Sequence, residues 1–259
     1  MREIRSYKYD DKSPRQVYKV YKLTISSHVT IRYPIVFIHG GAWRDPANTC
    51  DDFDKLVTFV EQLLNTGGPT KEFELFSVDY RLSPGVKHPM HMLDVMEALS
   101  SIGKRHHIDE VTFCGHSVGS TLITQILENE GTVCPRVKRA IFLDGIYDIP
   151  LMLKEYPEYQ GFVSEAFEGP DYNRSNMISA CSANDSVKSV YGKLESITII
   201  HSTKDELLSL KQPERFYSWL LTAGVEKDLI DRHYCDYGKH NDVYQSPEVA
   251  KVLVLKEFS

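Results

Sequence analysis

Three short apolar runs, at residues 35–38, 140–143 and 197–200, constrain what this chain can fold into more than any other feature of its 259 residues. Each suits a strand buried on both faces, and between them the hydrophobic period changes. Phe53, Leu56, Val57, Val60, Leu63 and Leu64 recur at helical spacing as far as Gly67-Gly68, and Leu93, Met96 and Leu99 mark a second helix. Further strands are read at 17–25, the first alternating like an edge strand, and at 75–78, 111–114 and 230–235. Further helices are read after Ser117, around 216–221 and near 249–255. Alternation of this kind predicts a mostly parallel sheet with helices on both faces. At 149–192 the rhythm breaks, with Tyr156, Tyr159, Phe162, Phe167 and Tyr172 in a stretch also carrying Pro157 and Pro170. This segment is expected to form a small lid-like insertion over the C-terminal edge of the sheet, where α/β proteins bind ligands.

One domain, 1–259, accommodates these elements, because a chain of this length, 42% apolar and 25% charged, can bury a single sizeable core. The net charge of −6 and the scattered Lys and Arg residues supply no basic field, so nucleic acid is not an expected partner. Residues 1–15 are polar and nowhere do eighteen apolar residues run together, so no membrane span is expected either. Cys50, Cys114, Cys134, Cys181 and Cys235 are odd in number, scattered and never in a CxxC pair. Neither a disulfide framework nor a metal site follows from them, and a soluble protein with reduced thiols in the cytoplasm is the expectation. The sequence leaves monomer and homodimer equally open.

Two motifs carry chemistry. Gly115-His116-Ser117-Val118-Gly119 is a GxSxG that follows the strand at 111–114 and leads into a helical run. A serine on such a turn holds its Oγ above the sheet, and the helix N-terminus offers unpaired N–H donors to an oxyanion. The second motif, His39-Gly40-Gly41-Ala42-Trp43, follows the strand at 35–38. Glycines there bring bare N–H groups to a substrate oxygen, so Gly40, Gly41 and Val118 are the expected oxyanion donors.

A serine hydroxyl attacks only with a base in reach and a group that orients the base. Of ten histidines, position removes all but His240: most precede the sheet, lie within or beside other elements or belong to the two motifs, whereas His240 follows the last strand. Asp205, just past the strand at 197–200, completes the order Ser, Asp, His of the α/β-hydrolases. Asp144, Asp148, Glu206 and Asp242 are its rivals.

With Tyr80-Arg81-Leu82-Ser83-Pro84, Leu143-Asp144-Gly145-Ile146-Tyr147-Asp148, Asp205-Glu206-Leu207-Leu208 and His240-Asn241-Asp242-Val243-Tyr244 added to these motifs, the chain resembles the fungal kynurenine formamidases. The likeness runs from the strand before His39 to near the C-terminus. It implies the α/β-hydrolase fold, with the HGGxW loop on His39, Gly40, Gly41 and Trp43 and a triad of Ser117, Asp205 and His240. It also implies cleavage of N-formyl-L-kynurenine to L-kynurenine and formate, a step of tryptophan breakdown toward NAD, with no cofactor. The third glycine of many esterases is Ala42 here, a place the formamidase pattern leaves free.

A carboxylesterase for small acyl esters would use the same residues, because a triad reports reaction type and not leaving group. A binding scaffold without activity is the other alternative, and the complete triad speaks against it. Trp43 is expected to form a wall that prefers formyl to acetyl, with Tyr80, Arg81 and the aromatics of the insertion as candidates for substrate contact.

Overall fold

A computed structural model describes residues 2–24, 32–65, 72–129, 135–180 and 185–257. Eight strands form one sheet: β1 (Arg2–Lys8), β2 (Val17–Thr24), β3 (Arg32–Ile38), β4 (Glu72–Val78), β5 (Glu110–His116), β6 (Arg136–Leu143), β7 (Ser196–Ser202) and β8 (Ile230–Cys235). Their order is β1-β2-β4-β3-β5-β6-β7-β8. The pairs β1·β2 and β2·β4 are antiparallel and all the others parallel. The helices are α1 (Asp54–Asn65), α2 (Met90–His106), α3 (Val118–Glu128), α4 (Ile149–Glu155), α5 (Gln160–Ala166), α6 (Met177–Ala180), α7 (Asp185–Tyr191), α8 (Lys211–Thr222) and α9 (Pro247–Glu257).

The apolar runs behave as double-sided strands. In β3, Val36 and Ile38 join the core on the side of α2, α3 and α8, while Ile35 and Phe37 join the core on the side of α1 and α9. Successive side chains of a strand point to opposite faces, so a strand covered by helices on both sides needs apolar residues throughout. The chain lays β4 outside β3 and then crosses back to place β5 on the other side. The C-terminal ends of β3 and β5 therefore sit side by side where the winding reverses, the place at which open α/β sheets bind ligands. Both motifs begin there.

Several elements differ from expectation. The polar stretch Arg2–Lys8 is a strand, and β2 lies inside it rather than at the edge. With a single partner and mostly exposed side chains, β1 is held by backbone hydrogen bonds and carries no hydrophobic period that could announce it. Leu93 faces outward from α2, whose buried face is Met92, Val95, Leu99 and Ile102. His106, read as part of a loop, ends α2, where Nε2 lies 3.2 Å from the Tyr18 hydroxyl.

The segment 149–192 plays two parts. Up to Tyr172 it is a cap: Met152, Val163, Ala166 and Phe167 pack with Trp43, Val118, Ile146 and Leu208, whereas Met177 and Ile178 of α6 pack with the main core. Val187 and Tyr191 of α7 likewise belong to the main core, where Tyr191 meets Phe216 and Trp219 of α8 edge-on. The expected helix stop at Gly67-Gly68 and the residues Ile25, His28, Cys134 and Cys181 lie outside the described residues. Among the described residues no helix is long and apolar enough to cross a membrane.

Candidate active site

Ser117 stands at the turn from β5 into α3 with φ 52° and ψ −119°. A side chain at positive φ is costly, and it persists here because the surroundings leave the turn no alternative. The Ser117 N–H donates to Leu143 O at 2.9 Å. A Cβ on Gly119 would lie 2.1 Å from Ile38 O, and one on Gly115 would lie 2.7 Å from the Gly119 backbone. The glycines of GxSxG are thus required by backbone packed on backbone, which brings α3 against the end of β3. Val118 is the first residue of α3, where an N–H has no acceptor within the helix.

The loop after β3 is built as tightly. Gly41, Ala42 and Trp43 all have positive φ, and the N–H groups of Arg44 and Asp45 both donate to Gly41 O, at 2.9 and 2.8 Å. Gly40 lies against Ser117, since a Cβ there would come within 3.0 Å of Ser117 Cβ. The buried His39 ring stacks on Tyr80 with centroids 4.4 Å apart, and the Tyr80 hydroxyl donates to the carbonyls of His39 and Gly40. His39 Nε2 lies 3.1 Å from Asp79 Oδ1, which also takes a 2.7 Å ion pair from Arg15. Arg15 reaches on to Tyr80 O and Asn48 O.

His240 Nδ1 is 2.8 Å from Asp205 Oδ2, while Asp205 Oδ1 accepts from the N–H groups of Leu207 and Leu208. Burial works against the Asp205 carboxylate, but the hydrogen bond and charge of His240, with those two N–H groups, outweigh it and hold its pKa below the ordinary value. The backbone of His240 is tied at both ends: its N–H donates to Glu206 Oε2 and its carbonyl accepts from His116 Nε2, each at 3.0 Å. Asp144 Oδ1 accepts instead from Ser202 N–H at 2.7 Å. Burial and the nearby Asp205 charge push the Asp144 pKa well up. His116, Asp144 and His240, and likewise Asp144, His201 and Asp205, come close enough to share an ion. Asp205 Oδ2 is bonded to His240 and His116 Nε2 to a carbonyl, while His116 Nδ1, Asp144 Oδ2 and His201 Nδ1 have no hydrogen-bond partner among the described residues.

Ser117 and His240 open into one cavity of about 460 Å³, walled by Gly41 and Ala42 on one side and by Tyr159, Phe162, Ile146 and Leu208 on the other. A larger, more open groove of about 730 Å³ runs along β8 and contains none of these residues, so volume alone does not mark the site.

The family pattern described as BD-FAE matches residues 24–220. The chain is 38% identical to a kynurenine formamidase of Meyerozyma guilliermondii, over 92% of this chain and 88% of the relative. It is 32% identical to a kynurenine formamidase of Saccharomyces cerevisiae, over 86% of this chain and 87% of the relative. The chain belongs to the kynurenine formamidase family. Its fold is that of the α/β-hydrolases, as the likeness to esterase B of Lactobacillus rhamnosus shows: TM-score 0.74 at 15% identity, covering 99% of this chain and 84% of that one.

In this member of the kynurenine formamidase family Gly41, Ser117 and His240 line one cavity with Tyr159 and Phe162, Asp205 bonds His240, and Trp43, Tyr80 and Arg81 are among the residues singled out in the sequence that do not line it. Trp43 does not wall the cavity: it is buried beneath the cap, against Phe162 and Phe167. A loop position shows in the sequence, but the side of the loop a side chain takes does not. Tyr80 is fully buried under the His39 loop, and Arg81 is spent on Asp94, to which Nε and Nη2 donate at 2.8 and 2.6 Å. Supporting residues that sequence reading missed are Arg15, Asp79, Glu206 (weighed only as an acid) and Asn48. The one signal for Asp79 is its place directly after β4, level with His39 after β3.

Proposed function

We propose that the protein hydrolyses the formamide of N-formyl-L-kynurenine, with Ser117 as nucleophile, His240 as base and Asp205 as the group that orients and charges the base. The observation that carries this reading is the 2.8 Å contact of His240 Nδ1 with Asp205 Oδ2 beside the strained Ser117 turn. With Nδ1 committed to Asp205, Nε2 is the basic atom. It takes the Ser117 proton as Oγ adds to the formyl carbon. The oxyanion that forms is met by the N–H groups of Gly40, Gly41 and Val118, fixed before the reaction by the backbone packing described above. His240 then gives its proton to the departing aryl amine, leaving formyl-Ser117. Water, deprotonated by His240, releases formate.

An aryl amine leaves more readily than an alkyl amine, so a site built like that of an esterase suffices for this amide. The fold leaves ester hydrolysis open, and the family membership favours the formamide. A single domain with a cap at 149–172 and a cytoplasmic location, supported by the scattered cysteines, complete the reading.

The test is release of formate from N-formyl-L-kynurenine by the purified protein. Ser117→Ala and His240→Ala should each abolish it, and the double variant should be no worse than either, because members of one catalytic unit are strongly non-additive. Losses that multiply would contradict the triad.

A further inference from the structure

The cavity above Ser117 has two kinds of wall. Tyr159 and Phe162 of the cap, with Ile146, suit an aromatic ring next to the scissile bond. The same cavity is also lined, directly after the His39–Trp43 loop, by Arg44 and Asp45. Neither charge serves the chemistry at a formyl group, which is neutral. They are a cation and an anion on consecutive residues, held in one turn because both their N–H groups donate to Gly41 O. Arg44 spends one N–H on Glu165 of α5, at 3.0 Å, and its guanidinium carbon lies 5.9 Å from the centre of the Phe162 ring. A guanidinium has five N–H donors in a planar fork that matches a carboxylate, so most of its capacity is uncommitted. Asp45 Oδ1 accepts from Ala47 N–H at 2.9 Å, which fixes the carboxylate and leaves Oδ2.

We propose that Arg44 and Asp45 form a clamp for a zwitterionic amino-acid head group, the guanidinium taking the α-carboxylate and the Asp45 carboxylate the α-ammonium. The proposal rests on the reading of the substrate as a formylated aryl amine that carries such a head group, and adds what recognises it. A partly exposed Arg–Glu pair contributes little to stability, so a purely structural role gives Arg44 small weight. As a substrate contact it has more, because a bidentate guanidinium–carboxylate bond is both strong and directional. The same turn carries the oxyanion donors, so a head group seated on Arg44 and Asp45 sets the position of the formyl carbon relative to Gly40 and Gly41.

The experiment compares N-formyl-L-kynurenine with 2-formamidoacetophenone, which keeps the formanilide and the ortho ketone but has no amino-acid group. In the wild type, kcat/KM should favour the amino-acid substrate by about tenfold or more, the scale of a charge-assisted contact. In Arg44→Gln that preference should collapse toward unity, chiefly through KM, with part of it restored in Arg44→Lys. Asp45→Asn should reduce it independently. A preference that survives both substitutions, or a wild type without one, would overturn the clamp. So would an Arg44→Gln enzyme that loses both substrates equally through kcat, which would make Arg44 a support of the oxyanion loop. A wild type that cleaves neither compound while a fluorophosphonate still labels Ser117 would defeat the substrate reading itself, a result distinct from all of these.

Discussion

Asp205 and Asp144 lie on either side of His201, Asp205 Oδ2 3.5 Å from its Nε2 and Asp144 Oδ1 3.6 Å from its Nδ1, yet only Asp205 bonds the imidazole of His240. Burial and the Asp205 charge push the Asp144 pKa up, whereas the hydrogen bond and charge of His240 hold that of Asp205 down.

Replacing them should separate their roles. Asp205→Asn should fold but lose about 10³- to 10⁴-fold in kcat, because the base loses both its orientation and its counter-charge. Asp144→Asn keeps the acceptor for Ser202 N–H and does not touch the bond between His240 and Asp205. Its kcat should stay within about tenfold of wild type, since a change of that size is only about 1.4 kcal/mol in the barrier. Steady-state kinetics with circular dichroism as a check on folding decide between them. The reverse result would make Asp144 the orienting acid.

Ser117→Gly should trade activity for stability. Strain at a non-glycine residue in this conformation costs about 1–3 kcal/mol, and glycine returns somewhat less than 1 kcal/mol of that through the freedom of the unfolded chain. A net gain of about 1 kcal/mol, a few degrees in Tm, is expected together with complete loss of turnover. A Tm at or below wild type would mean that the turn is not strained.

Acyl selectivity should depend on Ile146 and not on Trp43. The Ile146 N–H donates to Ser117 O at 3.3 Å and its side chain lines the cavity, whereas Trp43 packs under the cap. Fitting a methyl into a closed space costs about 1–3 kcal/mol, which is roughly 5- to 150-fold in preference for formyl over acetyl. Ile146→Ala should narrow that ratio. Trp43→Ala should instead lower stability by about 3–5 kcal/mol, as removal of a buried indole does, and leave the ratio in place. The measurements are kcat/KM for N-formyl- and N-acetyl-kynurenine, and thermal melts.

Stability should fall as pH rises from mildly acidic to neutral, because of Glu128. Burial pushes its pKa up from 4.5 to about 7, even though the Tyr191 hydroxyl and Met177 N–H lie at 2.5 Å. A carboxyl group bound more tightly to its proton in the native state contributes its full stabilisation below its unfolded value of 4.5 and loses it as pH climbs through about 7. At about 1.4 kcal/mol per tenfold in proton affinity, the contribution is about 3 kcal/mol. Glu128→Gln mimics the protonated acid, with an oxygen for Met177 N–H and an N–H for the Tyr191 oxygen. Urea melts across this range should show a flatter pH dependence in the variant; identical slopes would remove Glu128 as the cause.

The legible parts of the sequence are those where one physical demand leaves one residue type. Ile35 to Ile38 must all be apolar because both faces of β3 are covered, and Gly115, Gly119 and Gly40 must be bare because backbone or the nucleophile fills the space of a side chain. β1 was illegible because its hydrogen bonds come from the main chain, which every sequence has. The end of the cap was misjudged because aromatic residues serve cap and core alike: Phe167 packs on Trp43, and Tyr191, a little further along, on Trp219. Arg15 and Asp79 could not be paired by reading, since 64 residues separate them and only the folded sheet brings them together.

That ion pair ties the bend between β1 and β2 to the loop after β3. Arg15, on the bend between β1 and β2, bonds Asp79, Tyr80 and Asn48 at once, and through Asp79 and Tyr80 it braces His39 and the oxyanion loop. A deletion reaching Arg15 should therefore leave Ser117 and His240 in place but free the loop of His39, Gly40 and Gly41 to wander.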